Sequence, residues 1–396
     1  EKASGCYARM GNRAQQCRAL KVMAAVHEGR GFPEDAARCY EQAAELYALS
    51  GMRHNEAEGR AQLGAALISS NRLEPGFEQC ERAAHALRCL GDTRQLARVL
   101  YSLGAAYHQA GNLVAAERCH SEYLQRATDM EDAAGRDRAL EALAQVTADQ
   151  DRLDDARGFV NRRMELAKAQ ANVRAELSCL WALADLARRA NRPADLHACA
   201  RRIGEVAESA GLASAALEAD EARIGALLMM RMLPEAAEAI EEWLPKAEQT
   251  PGAALDHWRI TLGLTKERLG DYAAAARIWR ALIPRFRDQG VREPMAVALR
   301  SLANCELEMG RNDAALEAAR EHYELVEATS ERSALRDSML LLARCYRARG
   351  RRLLAWRLVW KASRVARRGA PSPQGLDEGT AEATEPHHGE RHRTAR

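Results

Sequence analysis

LARVLYSLGAAYHQAGNLVAAERCHSEYLQRATDM, residues 96–130, decides the fold. Leu96, Val99, Leu100, Leu103 and Tyr107 recur at three- and four-residue spacing, which sets them on one stripe of a helix. Gly111 and Asn112 interrupt the run where a helix C-terminus favours a left-handed residue. A second apolar series follows at Ala116, Cys119 and Tyr123. Gly104 and Ala116 are small where the two helices must come close. The stretch predicts an antiparallel helix pair.

The same pair returns along the chain. From Gly104, steps of 40 reach Gly64 and Ala24 on one side and Ala144, Ala184 and Ile224 on the other. After one step of 39 the series continues at Gly263, Ala303 and Ala343. A second small site reads Ala36, Gly76, Ala116, Ala156, Leu196, Ala236, Ala275, Ala315 and Ala355. The turn inside each pair reads Gly31, Asn71, Gly111, Asp151, Asn191, Arg231, Gly270, Gly310 and Gly350. Columns that keep one period mean a stacked array. Pair six departs at Arg223, where the residue before the small site is otherwise large and apolar (Met23, Leu63, Leu103, Leu143, Leu183, Leu262, Leu302 and Leu342), and at Ile224 and Arg231. A one-residue shift there, with Ile224 and Gly225 in the large and small sites, would restore two of them and imply a local change of pitch.

Leu103, Gly104, Tyr107, Gly111 and Ala116 match the L-G-x-x-Y-x-x-x-G-x-x-x-x-A skeleton of the tetratricopeptide repeat (TPR), which the chain resembles. The longer period is similar to that of rapsyn- and Pins-type adaptors. The resemblance implies an all-α fold, a right-handed α-solenoid of about nine TPR-like antiparallel helix pairs. Residues 1–11 are expected to end a preceding helix, 12–368 to form the array, and 369–396 to be a disordered tail, being rich in Pro, Gly, Glu and Thr. Pro245, Pro251 and Gly252 are expected to stiffen one linker.

Composition agrees. Hydrophobic residues make up 47% and aromatics only 5%, so alanine does much of the packing, and the formal net charge of +2 implies neither nucleic acid nor an acidic membrane as partner. The ten cysteines show no CxxC. Cys39, Cys119 and Cys199 share one helical place, and Cys305 and Cys345 another, as small core residues would. A reducing, cytoplasmic setting is expected. No run approaches the roughly 20 apolar residues of a membrane span; the best stretch, 224–233, contains Arg231.

No phosphate loop, GxSxG elbow or HExxH is present. Acidic and basic residues alternate at helical spacing, as on solvated faces with i,i+4 pairs. His108 and His120 can approach across one pair, but no carboxylate or Cys completes a metal set. His387, His388 and His392 in the tail carry little weight. The expectation is no catalysis, cofactor, metal or small-molecule substrate.

By the resemblance, Arg98, Tyr101, His108, Arg138, Glu141, Trp181, Asp185 and Arg188 point into the inner groove. A packed core would not choose such a set. The chaperone-tail clamp of the family is not matched: Lys21 is present, but Ala25 and Ala65 replace its Asn residues. The Asn ladder of Pins-type arrays survives only at Asn304. Tyr101, Arg138, Trp181 and Arg188 are therefore the candidate groove contacts. Trp356 and Trp360, set among arginines in RRLLAWRLVWKASRVARR, 351–368, form a second candidate surface. That helix is expected to be a cap with both tryptophans packed inward, with a docking surface or a single-stranded nucleic-acid site as the other readings. The expected function is a scaffold or adaptor that binds peptide segments or helices of other proteins. The alternatives are a regulatory region of a larger signalling ATPase or transcription regulator, suggested by the opening without Met, and a fixed part of a cytoskeletal or ciliary assembly.

Overall fold

The structure, a computed structural model, describes residues 2–249, 255–328 and 331–367. These form nineteen α-helices and, among the described residues, no strand. In chain order they are α1 (Lys2–Arg9), α2 (Arg13–Gly29), α3 (Pro33–Leu49), α4 (Arg53–Ser69), α5 (Leu73–Leu90), α6 (Thr93–Gln109), α7 (Leu113–Asp129), α8 (Ala133–Asp149), α9 (Leu153–Ala169) and α10 (Val173–Arg189). There follow α11 (Pro193–Ser209), α12 (Ala213–Met229), α13 (Leu233–Ala247), α14 (Leu255–Arg268), α15 (Tyr272–Gln289), α16 (Arg292–Glu308), α17 (Asn312–Glu327), α18 (Arg332–Ala348) and α19 (Arg352–Arg367). Packing divides the chain into two compact units, Glu1–Ala239 and Ile240–Arg396. In the first, each helix from α1 to α12 packs on the next; in the second, each from α14 to α19 does so. The first helices of successive pairs also meet, α4 with α6 and α6 with α8, and likewise α14 with α16 and α16 with α18. The fold is an all-α solenoid of TPR-like helix pairs.

Reversal of the chain is a backbone matter. The N–H of Gly111 donates to the His108 carbonyl at 3.0 Å and that of Asn112 to the Tyr107 carbonyl at 2.9 Å, closing α6 with a left-handed residue. Asn112 then caps α7, its Oδ1 accepting from the Ala115 N–H at 3.2 Å. Seventeen helical residues and three of turn make the unit of chain. The left-handed position recurs at residues 11, 31, 51, 71, 91, 111, 131, 151, 171, 191, 211 and 231, a spacing of 20, half the period legible in the side chains. Asn71, Asp151, Asn191 and Arg231 take it with φ of 62°, 62°, 52° and 60° where other pairs use glycine. Glu131 and Ala171 do so between pairs, at roughly 1 kcal/mol each.

The small columns mark the helix crossings. Ala24, Ala184, Ala303, Ala116, Ala156 and Ala315 have no exposed surface. A Cβ on Gly64 would lie 2.4 Å from Cys80 Sγ and 2.8 Å from the Gly76 carbonyl oxygen, and one on Gly76 would lie 3.0 Å from the Gly64 oxygen. The facing residue is larger where glycine stands opposite. The His120 ring lies 2.6 Å from where a Gly104 Cβ would be, and Trp279 2.5 Å from that of Gly263. Trp279 is wholly buried and donates its Nε1–H to Glu267 Oε1 at 2.7 Å.

The expected shift in the sixth pair is not found. Arg231 adopts the same left-handed turn as its counterparts, so α12 keeps its seventeen residues and its register. Ile224 stays in the small column, fully buried, while a Cβ on Gly225 would meet nothing within 4 Å. Pro245 lies inside α13 rather than in a linker; Pro251 and Gly252, like the tail 369–396 with its three histidines, lie outside the described residues.

Charges do more than pair along single helices. Such pairs exist, Arg60 with Glu56 at 2.9 Å for one, but arginines also bridge successive second helices: Arg88 to Glu122 at 2.6 Å, Arg152 to Glu117 at 2.8 Å, Arg192 to Asp154 at 3.0 Å and, in the second unit, Arg287 to Glu321. Each is solvent-accessible and screened by water, so together they set register more than stability. Arg163 differs. It is buried in α9, with Nε 2.8 Å from Asp137 and Nη1 3.2 Å from both Glu141 and the Ser178 hydroxyl. His120 and His322 are buried too. Burial pushes each down to about 4, with the His108 charge adding to the effect at His120 and Arg300 at His322.

Two predictions follow from this packing. Gly263→Ala drives a methyl into Trp279 and should destabilise by about 1–3 kcal/mol. Gly225→Ala, with open space, should stabilise its helix by about 0.5–1 kcal/mol. Urea unfolding monitored by circular dichroism separates them, and equal midpoints would refute the crossing assignment. The unfolded chain binds protons on His120 and His322 below the ordinary 6.5, whereas the folded chain excludes them down to about 4. Stability present above pH 6.5 is therefore lost as pH falls through that window. Melting temperature should drop from pH 7 to pH 5, and less steeply in His120→Leu; identical slopes would show that His120 titrates freely in the fold.

Candidate functional site

The chemistry concentrates around α6. Its seventeen residues, TRQLARVLYSLGAAYHQ, contain no acidic side chain. Leu96, Leu100 and Leu103 bury one stripe, leaving Arg94, Arg98, Tyr101 and Ser102 on the other face. Between that face and α8 lies a cleft of 330 Å3, lined by these four together with Ala97, Tyr123, Met130, Asp132 and Arg138. Tyr101 and Arg138 are thus brought together, the guanidinium carbon standing 5.8 Å from the ring centroid. Tyr123, 5.4 Å from Tyr101 between centroids, extends the aromatic wall, and His120 lies behind at 6.1 Å.

The cations here are available. Arg138 donates its Nε–H to the Ala134 carbonyl at 3.3 Å, and among the described residues none of Arg94, Arg98 and Arg138 has a carboxylate at ion-pair distance. Asp132, the one acid in the lining, accepts from the Gly135 N–H at 3.0 Å as the cap of α8. A second cleft, of 370 Å3 between α4 and α6, shares Arg98 and Ser102 with the first. Its floor is Ala61, Ala65, Ala105 and Ala106, and its rim carries Glu58, Gln62, Gln95 and Gln109. Glu58 is held by Lys21 at 2.9 Å, and Gln62 Oε1 is buried without a hydrogen-bond donor. The two clefts form one track over α6, cationic and aromatic at one end, apolar with amides at the other. Such a track can take an extended chain: alanines admit its backbone closely, amides meet its peptide groups and arginines meet its carboxylates.

Beside the track, Asp149 links three successive first helices. His108 Nε2 lies 2.8 Å from one oxygen and Arg189 Nη1 3.6 Å from the other. His108 is therefore committed to an inter-repeat contact rather than paired with His120.

The other sequence candidates lie elsewhere. Trp181 and Arg188 are both on α10 and line neither cleft. Trp181 is half-buried against the Leu177–Leu180 core, while Arg188 is exposed and pairs with Asp185 at 3.3 Å. Trp356 and Trp360 belong to the second unit. The expectation that they pack inward is overturned: Trp356 is 65% exposed and Trp360 48%. Ala355 and Ala362, seven apart with Leu358 between them, form the stripe that meets α18, so the tryptophans project from another face. Arg364 stacks on Trp360 at 3.9 Å.

Tyr123 was read from its spacing only as part of an apolar stripe of α7, and Arg94 and Ser102 were not singled out. The one sequence signal for them is the absence of acid along α6, which becomes meaningful only once α8 is placed alongside. Among the described residues no group of three or more His, Cys, Asp or Glu could hold a metal ion, and no helix is long and apolar enough to cross a membrane.

No family model matches the chain, and no curated protein does. Solved structures similar to it include the apo form of RapI, 11% identical, covering 89% of this chain and 99% of that one at a TM-score of 0.44. A putative kinesin light chain with nearly identical TPR-like repeats from Podosopora anserina is 18% identical over 50% of this chain and 99% of its own, at 0.42. A signal transduction ATPase with a tetratricopeptide repeat sensor from Pyrococcus horikoshii is 11% identical over 78% of this chain and 50% of its own, at 0.40. Likenesses this loose carry nothing about partners. On its own columns, left-handed turns and helix crossings, the chain is a TPR-like repeat protein.

Proposed function

We propose that this chain is a non-catalytic interaction scaffold that holds extended segments of other proteins along the track over α6, with carboxylates of the partner meeting Arg94, Arg98 and Arg138. The observation that carries the reading is the convergence on the Tyr101–Tyr123 wall of three arginines that, among the described residues, have no carboxylate at ion-pair distance. Leaving such cations without a counter-charge is tolerable in water, and a partner's carboxylates would gain charge-assisted hydrogen bonds there. Mixed charge along the track would select the partner and its direction, since mismatched charges repel. Tyr101 supplies area and a face for Arg138. All ten cysteines are free and seven are buried, in keeping with a reducing, cytoplasmic setting.

The test compares affinity enrichment by wild type, Arg98→Glu/Arg138→Glu and Trp181→Ala/Arg188→Ala, each with helicity checked by circular dichroism. Partners of the track should fall at least about tenfold with the first variant and persist with the second. Raising the salt should weaken capture by wild type. Recovery of the same proteins at the same yield by Arg98→Glu/Arg138→Glu would refute the track as the binding surface.

A further inference from the structure

The second unit shows how a second helix of a pair is covered. In α17, which α18 packs on, Leu316 is buried. Forty residues on, Trp356 of α19 occupies the same place and is 65% exposed. A neighbouring column is more telling. Glu241 reaches Lys266 of α14 at 2.8 Å, Arg280 reaches Glu306 of α16, and Arg320 donates to the Tyr346 hydroxyl of α18 at 3.1 Å. Each is a residue of a second helix engaging a complementary residue of the helix that follows. Trp360 stands next in this column, 48% exposed, with Arg364 of its own helix stacked on its ring.

From this template we infer that the Leu353–Trp356–Trp360 face of α19 is a docking site for an amphipathic, acidic helix of another protein, seated as α18 is seated on α17. Spacing and charge both point to that occupant. Leu353, Trp356 and Trp360 follow i, i+3, i+7, one helical stripe whose apolar area matches a helix rather than an extended strand. Arg352, Arg357, Lys361 and Arg364 share the helix with it, Arg364 stacking on Trp360, and the sequence of α19 has no acidic residue. A helix with carboxylates beside its apolar stripe would meet those cations while covering the tryptophans, the residue type that most often anchors interfaces. A second copy of α19 would set cation against cation. The chain's own residues 369–396 contain one large apolar residue, Leu376, and three prolines, so they offer no matching stripe.

The inference rests on the scaffold reading only in that α19 binds a protein, and a separate probe tests it. Two labelled 17-residue peptides carry the apolar residues of α18, one with glutamates at every polar position and one with lysines. Fluorescence anisotropy with the full chain should show binding of the glutamate peptide and not the lysine peptide. Trp356→Ala/Trp360→Ala should weaken it at least about tenfold, and Arg357→Glu/Lys361→Glu should reverse the preference, with circular dichroism unchanged. Arg98→Glu/Arg138→Glu should leave it intact, so failure on α19 and failure of the track are read separately. Equal binding of both peptides, no binding of the glutamate peptide, or binding untouched by the α19 variants would overturn the inference. So would any of three other occupants: a wild-type dimer in sedimentation that Trp356→Ala/Trp360→Ala dissolves, displacement by a peptide of residues 369–396, or tighter retention on phosphatidylserine vesicles than on the glutamate peptide.

Discussion

Close approach of helix backbones at a small residue is the constraint on which the rest of this protein depends. Where Gly64 faces Gly76, carbonyl groups and Cα atoms come within a distance that leaves no room for a methyl group. Dispersion between such surfaces grows with each atom pair brought into range, and a void would forfeit it. The size of the facing side chain follows. Glycine at 104 and 263 admits an imidazole and an indole sixteen residues on, whereas alanine at 144 and 303 has Val160 and Ala319 at that spacing in the sequence. The volume is shared between two positions sixteen residues apart, and neither can be understood alone.

Backbone conformation supplies the second half of the architecture. Each left-handed residue closes one helix while the next residue but one begins another, so most reversals in the first unit take three residues and most of its helices have seventeen. Equal lengths keep successive crossings in register. That regularity frees the polar surface for other uses. Some arginines bridge neighbouring helices, whereas the group beside Tyr101 has, among the described residues, no carboxylate at ion-pair distance, and α19 carries five cations and no acid in its sequence.

Much of this was legible in the residues. The two small columns and the turn column through Asn71, Asp151, Asn191 and Arg231 come from spacing along single helices; that Tyr101 and Arg138 face the groove was implied by the resemblance, and their meeting was not legible. Other features were not. The 20-residue stride is hidden because first and second helices of a pair bury different faces, so their side chains differ although their backbones repeat. Arg163 is indistinguishable in sequence from the many surface arginines, and only the approach of Asp137, Glu141 and Ser178 from two other helices explains its burial. Ile224 looked like a register error because a large residue in a small column is ambiguous until its neighbours are placed.

The amino-acid sequence by itself determined the class of fold and the recurrence of small residues at the helix crossings and of the turn inside each pair, since these follow from periodicity, capping and side-chain volume over short range. Only the tertiary structure decided which charges are spent holding repeats together and which remain for a ligand, and that Trp356 and Trp360 face outward. Both depend on contacts between residues 26 to 41 positions apart, and such contacts are set by how helices stack, a relation that no spacing along one helix contains.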